Sequence, residues 1–520
     1  MEAISKIRLF PSSRPSRPIS TPLSILDATV ARFSATGAIW LFDHIPDGIY
    51  EHDFLDRLRS SLVNVLSDFP HWSGQLQWAP VRQGESHIER SNRLIIVYGS
   101  ETDPGVEWSV VRHVSVSVQL LVPNAPERAS GDGLWTGDEF TQELFLSDTL
   151  LPLHDLREFE CLPAMQVQLN LFNDGGYGIG IKMAHPLADA QTLMVFVHHW
   201  AAKCRESFHS INMPSLMSAP VFNPTLLDTC AAGDIDGPAA NPMCVSMARQ
   251  LPLHRFDWWC VDDPGYPPFL IPTTENSKPP PEVLAQVELS PSTSSPWTTW
   301  DFSRPVRYTQ LHYPGPELSL LKEQARTDGR PDVSRLDVLL AHIWAAVNRA
   351  RGHGDSSDKV FLNLTLGARS RVSPPLSDSF IGSPLFLTHI QTSGTAACSS
   401  SVGRTASQIR QTMLRFTPEA MGAMLHDAAH EVSPQRLWQA FLGTQHTLVT
   451  SWLRLHVYQV DFVGSGQKPR YVHAVMPKMD GCLQVMDPGV DDGGIDIALY
   501  LDAGAMKRLL VDRKLHLQSD

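Results

Sequence analysis

His185 and Asp189, four residues apart in the run His185-Pro186-Leu187-Ala188-Asp189, stand where one hydrophobic period gives way to another. The preceding Gly178-Ile179-Gly180-Ile181-Lys182-Met183-Ala184 reads as a buried strand. Downstream, Leu193, Phe196, Val197, Trp200 and Ala201 recur at the i, i+3, i+4, i+7, i+8 spacing of one helix face. An imidazole thus falls at a strand end and a carboxylate at a helix start, a layout that suits a positioned general base. Neutral imidazole takes a proton readily near neutral pH, and such a base contributes ~10²–10⁴-fold to a rate. Three other readings of the same residues stand beside this one. Asp189 is placed to cap orphan N–H groups of the helix, and His185 to be a half-buried, hydrogen-bonded residue. The pair could also share a metal, but no His-Glu-x-x-His or Cys-x-x-Cys accompanies it and His198-His199 lacks ligand spacing, so no metal is expected.

The elements that must hold this pair belong to a chain of 520 residues, long enough for two or more domains. Phe54, Leu55, Leu58, Leu62 and Leu66 outline a helix that ends before Phe69-Pro70, and Arg93 to Tyr98 reads as a strand. Between Asn212 and Pro305 the texture changes: Pro264 to Pro272, Pro279-Pro280-Pro281 and Ser290 to Pro296 can neither continue helices nor pair as central strands. This stretch is expected to be a long crossover, mobile around Thr273 to Ser295, joining a domain of residues 1–211 to one of residues 306–520. In the second domain, Leu336, Leu339, Leu340, Ile343, Trp344 and Val347 mark a helix within Ser334 to Arg351. Val360 to Leu366, Gln484 to Met486 and Ile495 to Leu501 read as strands, and Ser393 to Ser401 as a small-residue loop. Helices and strands interspersed in both halves predict an α/β fold with two domains, each a sheet with covering helices.

Composition narrows the partners. The 42 basic and 55 acidic residues give a net charge of −13, and no basic stripe interrupts it, which argues against nucleic acid; an anionic ligand would need locally placed Arg or Lys. Seven scattered cysteines without metal spacing read as reduced thiols of an intracellular protein. Met1 to Ser24 lacks the apolar core of a secretory signal, and no apolar run is long enough for a membrane span, so a cytoplasmic protein is expected. Gly175 to Gly180 fails the Gly-x-Gly-x-x-Gly spacing and leads into a strand, which makes it a turn rather than a nucleotide loop.

Several separated segments agree with one pattern. Pro22-Leu23-Ser24-Ile25-Leu26-Asp27, Phe69-Pro70-His71-Trp72-Ser73-Gly74-Gln75-Leu76, the His-x-x-x-Asp run, Pro220-Val221-Phe222, Ser334-Arg335-Leu336-Asp337-Val338-Leu339 with Ala341-His342-Ile343-Trp344, Thr450-Ser451-Trp452 and Val460-Asp461-Phe462-Val463-Gly464 to Pro469 follow one another in order over nearly the whole length. In this the chain resembles the BAHD acyltransferases, the CoA-dependent family of plant hydroxycinnamoyl transferases and fungal trichothecene acetyltransferases. It departs from them at Ala190, where a glycine is usual, at Gly382-Ser383, where Gly-Asn is usual, and in a loosened, lengthened Asp-Phe-Gly-Trp-Gly box at Asp461.

The resemblance implies two chloramphenicol-acetyltransferase-like domains with a channel between them, and a monomer. Its activity would be acyl transfer from acyl-CoA, a co-substrate rather than a permanently bound cofactor, to a hydroxyl or amine of a small specialised metabolite. By the same resemblance His185 is the base and acts without an acyl-enzyme. Trp452 and Thr450 face the developing oxyanion, Asp189 pairs with an arginine for which Arg335 is the candidate, and Asp461 braces the fold. Ser334, Arg369, Arg371 and Lys468 lie toward CoA. Three alternatives keep the fold: a proton transfer such as cyclisation or isomerisation at His185, a non-catalytic binding protein, and a peptide condensation domain, which would normally carry a second histidine where Ala184 stands.

Overall fold

In a computed structural model the described residues are 2–31, 35–82, 86–209, 214–437 and 440–517. The expected boundary between residues 211 and 212 lies outside them. Two mixed sheets organise the chain. A six-stranded sheet runs in the order Glu2–Leu9, Val106–His113, Met165–Phe172, Tyr177–Met183, Thr36–Phe42, Tyr471–Ala474. A seven-stranded sheet runs Leu385–Ser393, Lys359–Gly367, His446–Ser451, Cys482–Met486, Ile495–Asp502, Val306–Tyr313, Leu134–Thr136. Each half lends the other a strand: Tyr471–Ala474 pairs with Thr36–Phe42, and Leu134–Thr136 pairs with Val306–Tyr313. Sequence patterning reads strands one at a time and does not reveal this exchange.

The helix after His185 forms as its period predicts, over Ala190–His209. It buries Leu193, Phe196, Val197, Trp200 and Ala201 completely, the larger of these side chains each stabilising the fold by about 1.5–3 kcal/mol. Its Trp200 indole donates to the Leu58 carbonyl and the Ser61 hydroxyl of the neighbouring helix Glu51–Val65. The strand before His185 is central in its sheet and buried on both faces, so its end is fixed from both sides.

The seven-stranded sheet is asymmetric. Helices Gly315–Thr327, Arg335–Arg351, Val402–Leu414 and Ala503–Leu509 cover one face, where Leu364, Val449, Leu483 and Val485 meet Leu318, Leu339, Ile343, Ile409 and Met506. Because side chains alternate along a strand, Thr365, Leu448, Thr450 and Gln484 point the other way, into a cavity. The crossover packs against that cavity through Trp258, Trp297 and Trp300 and forms several short helices, including Pro242–Arg249 and Ile271–Ser277. Ser393 to Ser401, expected as a loop, holds the helix Gly394–Ser399, whose first turn is capped by Ser393 Oγ accepting the Ala396 N–H.

Candidate active site

His185 opens a single 3-10 turn, His185–Leu187, at the end of the Tyr177–Met183 strand. Pro186 suits the first turn, where its missing N–H costs nothing. The imidazole Nδ1 lies 3.0 Å from Ser383 Oγ, across from the second half of the chain. Ser383 is itself anchored: its N–H donates to Asp27 Oδ1 at 2.6 Å, and Asp27 Oδ2 accepts the N–H and O–H of Ser24. Burial drives the Asp27 carboxyl up to about 7 in spite of these donors. Gly382 adopts φ 145°, and a Cβ there would come within 3.0 Å of Asp27 Oδ1, so only glycine fits between the two loops. Burial holds the His185 imidazole below its ordinary pKa, against the upward pull of a hydrogen bond to its own backbone carbonyl and of the Asp189 charge. The ring is therefore neutral at neutral pH.

Asp189 does two things at once. Its Oδ1 accepts the Thr192 N–H at 2.8 Å, which is the helix-cap reading, worth about 1 kcal/mol. Both oxygens also receive Arg369, Nη2 to Oδ1 at 2.9 Å and Nη1 to Oδ2 at 2.5 Å. The same guanidinium donates to Thr192 Oγ1 and to the Phe380 carbonyl, which leaves the pair buried and hydrogen-bonded throughout. The metal reading finds no support here, since both carboxylate oxygens are committed.

This arrangement corrects two expectations. Arg335 is not the partner of Asp189: it is exposed on the first turn of helix Arg335–Arg351 and reaches Ser319 Oγ. Arg369 takes the role because it follows the Lys359–Gly367 strand, whose end abuts the start of the Ala190–His209 helix. For the same reason Arg369 leaves the set of cations expected to meet CoA phosphates; its N–H groups are spent on Asp189, Thr192 and Phe380.

The cavity on which His185 opens has a volume of about 740 Å³. Thr36, Gly37 and Ala190 line it from the first half, Gly367, Thr450, Trp452 and Gln484 from the second, and Trp258, Trp297 and Trp300 from the crossover. Thr450 is the penultimate residue of the His446–Ser451 strand, and its Oγ1 is buried without a hydrogen-bond partner. Trp452 is 5 % exposed and joins the core of the first half while also lining the cavity, so the packing reading and the channel reading hold together. Its backbone N–H donates to the Val485 carbonyl at 2.7 Å, which fixes the chain leaving the sheet.

The profile of the Transferase family matches residues 141–249 and 276–514. The chain belongs to this family, that of the BAHD acyltransferases. An acyltransferase of Alternaria alternata, AFT15-1, is 28% identical over 98% of this chain and 96% of its own length. Hydroxycinnamoyltransferase 1 of Oryza sativa subsp. japonica is 25% identical over 93% of each. Among solved structures, F. sporotrichioides TRI101 complexed with coenzyme A and T-2 superposes with a TM-score of 0.64 at 16% identity, covering 96% of this chain and 98% of its own. Vinorine synthase gives 0.61 at 19% identity, covering 100% and 99%. These two carry the fold: two mixed α/β halves.

Within this BAHD acyltransferase none of the other expected residues lines the cavity on which His185 opens. Asp461 Oδ1 accepts the N–H groups of Val463 and Gly464, and Oδ2 that of Gly466, which organises its own loop. That loop is fastened to the far end of the Ala190–His209 helix, by Arg205 donating to the Asp461 carbonyl and by His209 Nε2 at 2.7 Å from the Val463 carbonyl. At 1.5 Å per residue this is roughly 25 Å from Asp189. Ser334 caps helix Arg335–Arg351 in a reciprocal capping box with Asp337, which in turn receives Arg410. Arg371 donates to the Met413 carbonyl, and both burial and the nearby Arg410 charge lower its pKa. Ser334 and Arg371 thus flank one helix, Val402–Leu414, whereas Lys468 is exposed on the Asp461 loop.

Ser383 and Asp27 were not singled out as site residues by sequence reasoning. Both signals were present: Asp27 closes the Pro22 to Asp27 segment, and Ser383 stands at a departure from the family's Gly-Asn. What the sequence lacks is the fact that these segments, some 356 positions apart, meet behind one imidazole.

Proposed function

We propose that this acyltransferase moves an acyl group from an acyl-CoA to a hydroxyl or amine of a small specialised metabolite, by direct attack with His185 as general base. The observation that carries the reading is the imidazole lining the channel, held neutral by burial, with its Nδ1 3.0 Å from Ser383 Oγ. Support for the donor comes from coenzyme A in the complexes of TRI101. In the reaction His185 Nε2 takes the proton of the acceptor as its oxygen or nitrogen attacks the thioester carbonyl. The carbonyl oxygen gains negative charge, and the Trp452 indole N–H with the Thr450 hydroxyl stabilises it. Collapse breaks the carbon–sulfur bond, and the departing thiolate takes the proton back from the imidazolium. No acyl-enzyme forms.

The remaining residues keep architectural or binding roles in this reading. The Asp189–Arg369 pair holds the His185 turn, Asp461 braces the helix behind it, and Ser334, Arg371 and Lys468 supply local polar and positive groups for CoA phosphates. The domains are those of residues 1–211 and 306–520, joined by the crossover and laced by the two exchanged strands. One copy builds the whole channel, consistent with a monomer. No helix among the described residues is long and apolar enough to cross a membrane, which accords with a cytoplasmic enzyme.

The test is to incubate the purified chain with metabolite extracts and a panel of acyl-CoAs and follow mass shifts. A product heavier by the acyl group, dependent on the acyl-CoA and absent with His185→Ala, is expected. A product of unchanged mass would assign His185 to cyclisation or isomerisation instead.

A further inference from the structure

Three polar side chains lie side by side on the cavity face of the seven-stranded sheet: Thr365, Thr450 and Gln484, from three neighbouring strands. Thr450 and Gln484 are directly opposite in a parallel pair, and Thr365 follows Leu364, which pairs with Val449. Thr365 Oγ1, Thr450 Oγ1 and Gln484 Oε1 are all buried without a hydrogen-bond partner, and Gln484 is only 3% exposed. Buried polar groups in folded proteins are almost always paired, so a row of three such atoms aimed into a cavity needs a partner from outside the chain.

The wall beside this row is of opposite character. The crossover presents Trp258, Trp297, Trp300 and Phe302 to the cavity, and none of its lining residues among those described carries a charge. This wall is fixed to the sheet: the Thr444 N–H, just before the His446–Ser451 strand, donates to the Thr299 carbonyl at 3.0 Å, and Trp297 packs edge-on against Phe441 at 4.8 Å. That wall offers a phosphorylated adenosine nothing to bind. Among the described residues the one arginine lining the cavity, Arg369, is committed to Asp189, and Asp189 and Asp378 line it as carboxylates, so the chamber suits the substrate that is not CoA.

We infer that Thr365 and Gln484, on either side of Thr450 at the reacting centre, form a recognition strip for the acceptor. The acceptor is an uncharged, mainly ring-like apolar molecule with a second hydroxyl or carbonyl close to the reacting hydroxyl, and Gln484 hydrogen-bonds that second oxygen. The inference rests on the acyl-transfer reading only for which hydroxyl reacts. Adjacent strands are about 4.8 Å apart, which sets the reach from Thr450 at the reacting centre to Gln484. The aromatic wall takes the ring, and the strip sets its orientation. Sites built to hydrogen-bond a substrate oxygen reject analogues that lack it, because their own buried groups are then left unpaired.

The test uses calorimetry on the full chain with three probes: 1,2,3,4-tetrahydro-2-naphthol, the corresponding 2,3-diol, and the 2-naphthol analogue bearing a ring carboxylate. The wild-type chain should bind the diol about tenfold or more tighter than the mono-alcohol. It should bind the carboxylate at least about tenfold more weakly than the mono-alcohol. Gln484→Met keeps the length of the side chain and should erase the preference for the diol, with the melting temperature as a check on folding. Thr365→Val, a second and milder change, should reduce the preference in part. The inference is overturned if the wild type binds none of the probes, binds all three alike, or keeps its preference in a folded Gln484→Met chain. It is also overturned if Gln484→Met alters affinity for decanoyl-CoA and not for the diol, since the strip would then serve the acyl group. A preference that depends on Gln484 upholds the strip whether or not the diol is acylated, while the acyl-transfer reading stands or falls with the acyl-CoA panel.

Discussion

The two walls of the channel, one around His185 and one on the seven-stranded sheet, stand in opposite states of hydrogen bonding. On the His185 side the polar groups find partners in the protein: Asp189 with Arg369 and Thr192, Ser383 with Asp27, Asp27 with Ser24. On the sheet side Thr365, Thr450 and Gln484 keep buried polar atoms without one. A side that is satisfied positions a reacting group, and a side that is unsatisfied waits for a ligand. The division of labour follows from the cost of leaving buried polar groups unpaired, about 1–3 kcal/mol each. Only binding can repay it on the sheet side, whereas the loop side is complete before any substrate arrives.

The largest effect expected from breaking this contrast comes at the most satisfied point. Asp189→Asn or Arg369→Gln removes one charge of a buried pair and should destabilise the fold by about 3–5 kcal/mol. Thermal denaturation of both single variants and the double variant checks it. A double variant less damaged than the sum of the singles marks the pair as coupled, and additive losses would dissolve the tie between the halves.

On the other side of the channel, Trp452→Phe keeps the aromatic packing and deletes the indole N–H. If Trp452 acts on the oxyanion, kcat falls by up to ~10²–10³-fold while KM changes little. Combination with Thr450→Val removes the second donor and should deepen the loss. A lowered melting temperature with wild-type kcat in the folded fraction would reduce Trp452 to core packing.

Ser383→Ala is the subtler probe, since it deletes the contact to Nδ1 and leaves the charge pair and the cavity intact. A fall in kcat of about tenfold is expected, with KM for acyl-CoA unchanged and recovery in Ser383→Thr. If Ser383→Ala matches the wild type, the carbonyl of His185 alone suffices to orient the ring.

What could be read from the sequence was what is local. His185, Asp189 and the helix Ala190–His209 announce themselves through strand and helix periods that run into one another. The same holds for the helix Arg335–Arg351 and the strands that carry Thr365 and Gln484. The partner of Asp189 could not be read in this way: Arg335 and Arg369 are both arginines near a helix or strand end, and only the three-dimensional path of the chain after Gly367 separates them. The crossover shows the same limit from another direction. Its prolines rule out long helices and central strands, yet they say nothing of where its tryptophans point, and these form one wall of the channel. Gly394–Ser399 was read as loop because small residues carry no apolar period, although Ser393 caps a short helix there.

The central claim is that a neutral His185 takes the acceptor's proton, and it is tested most directly by single-turnover acyl transfer in wild type and His185→Ala from about pH 5 to pH 8. The base must be deprotonated to act, so the wild-type rate should be flat above the ordinary imidazole pKa. It should fall only as pH drops through the lower value that burial imposes. His185→Ala should lose at least ~100-fold at every pH, with acyl-CoA affinity retained. A folded His185→Ala chain that transfers acyl groups at the wild-type rate, with the same pH dependence, would contradict the account.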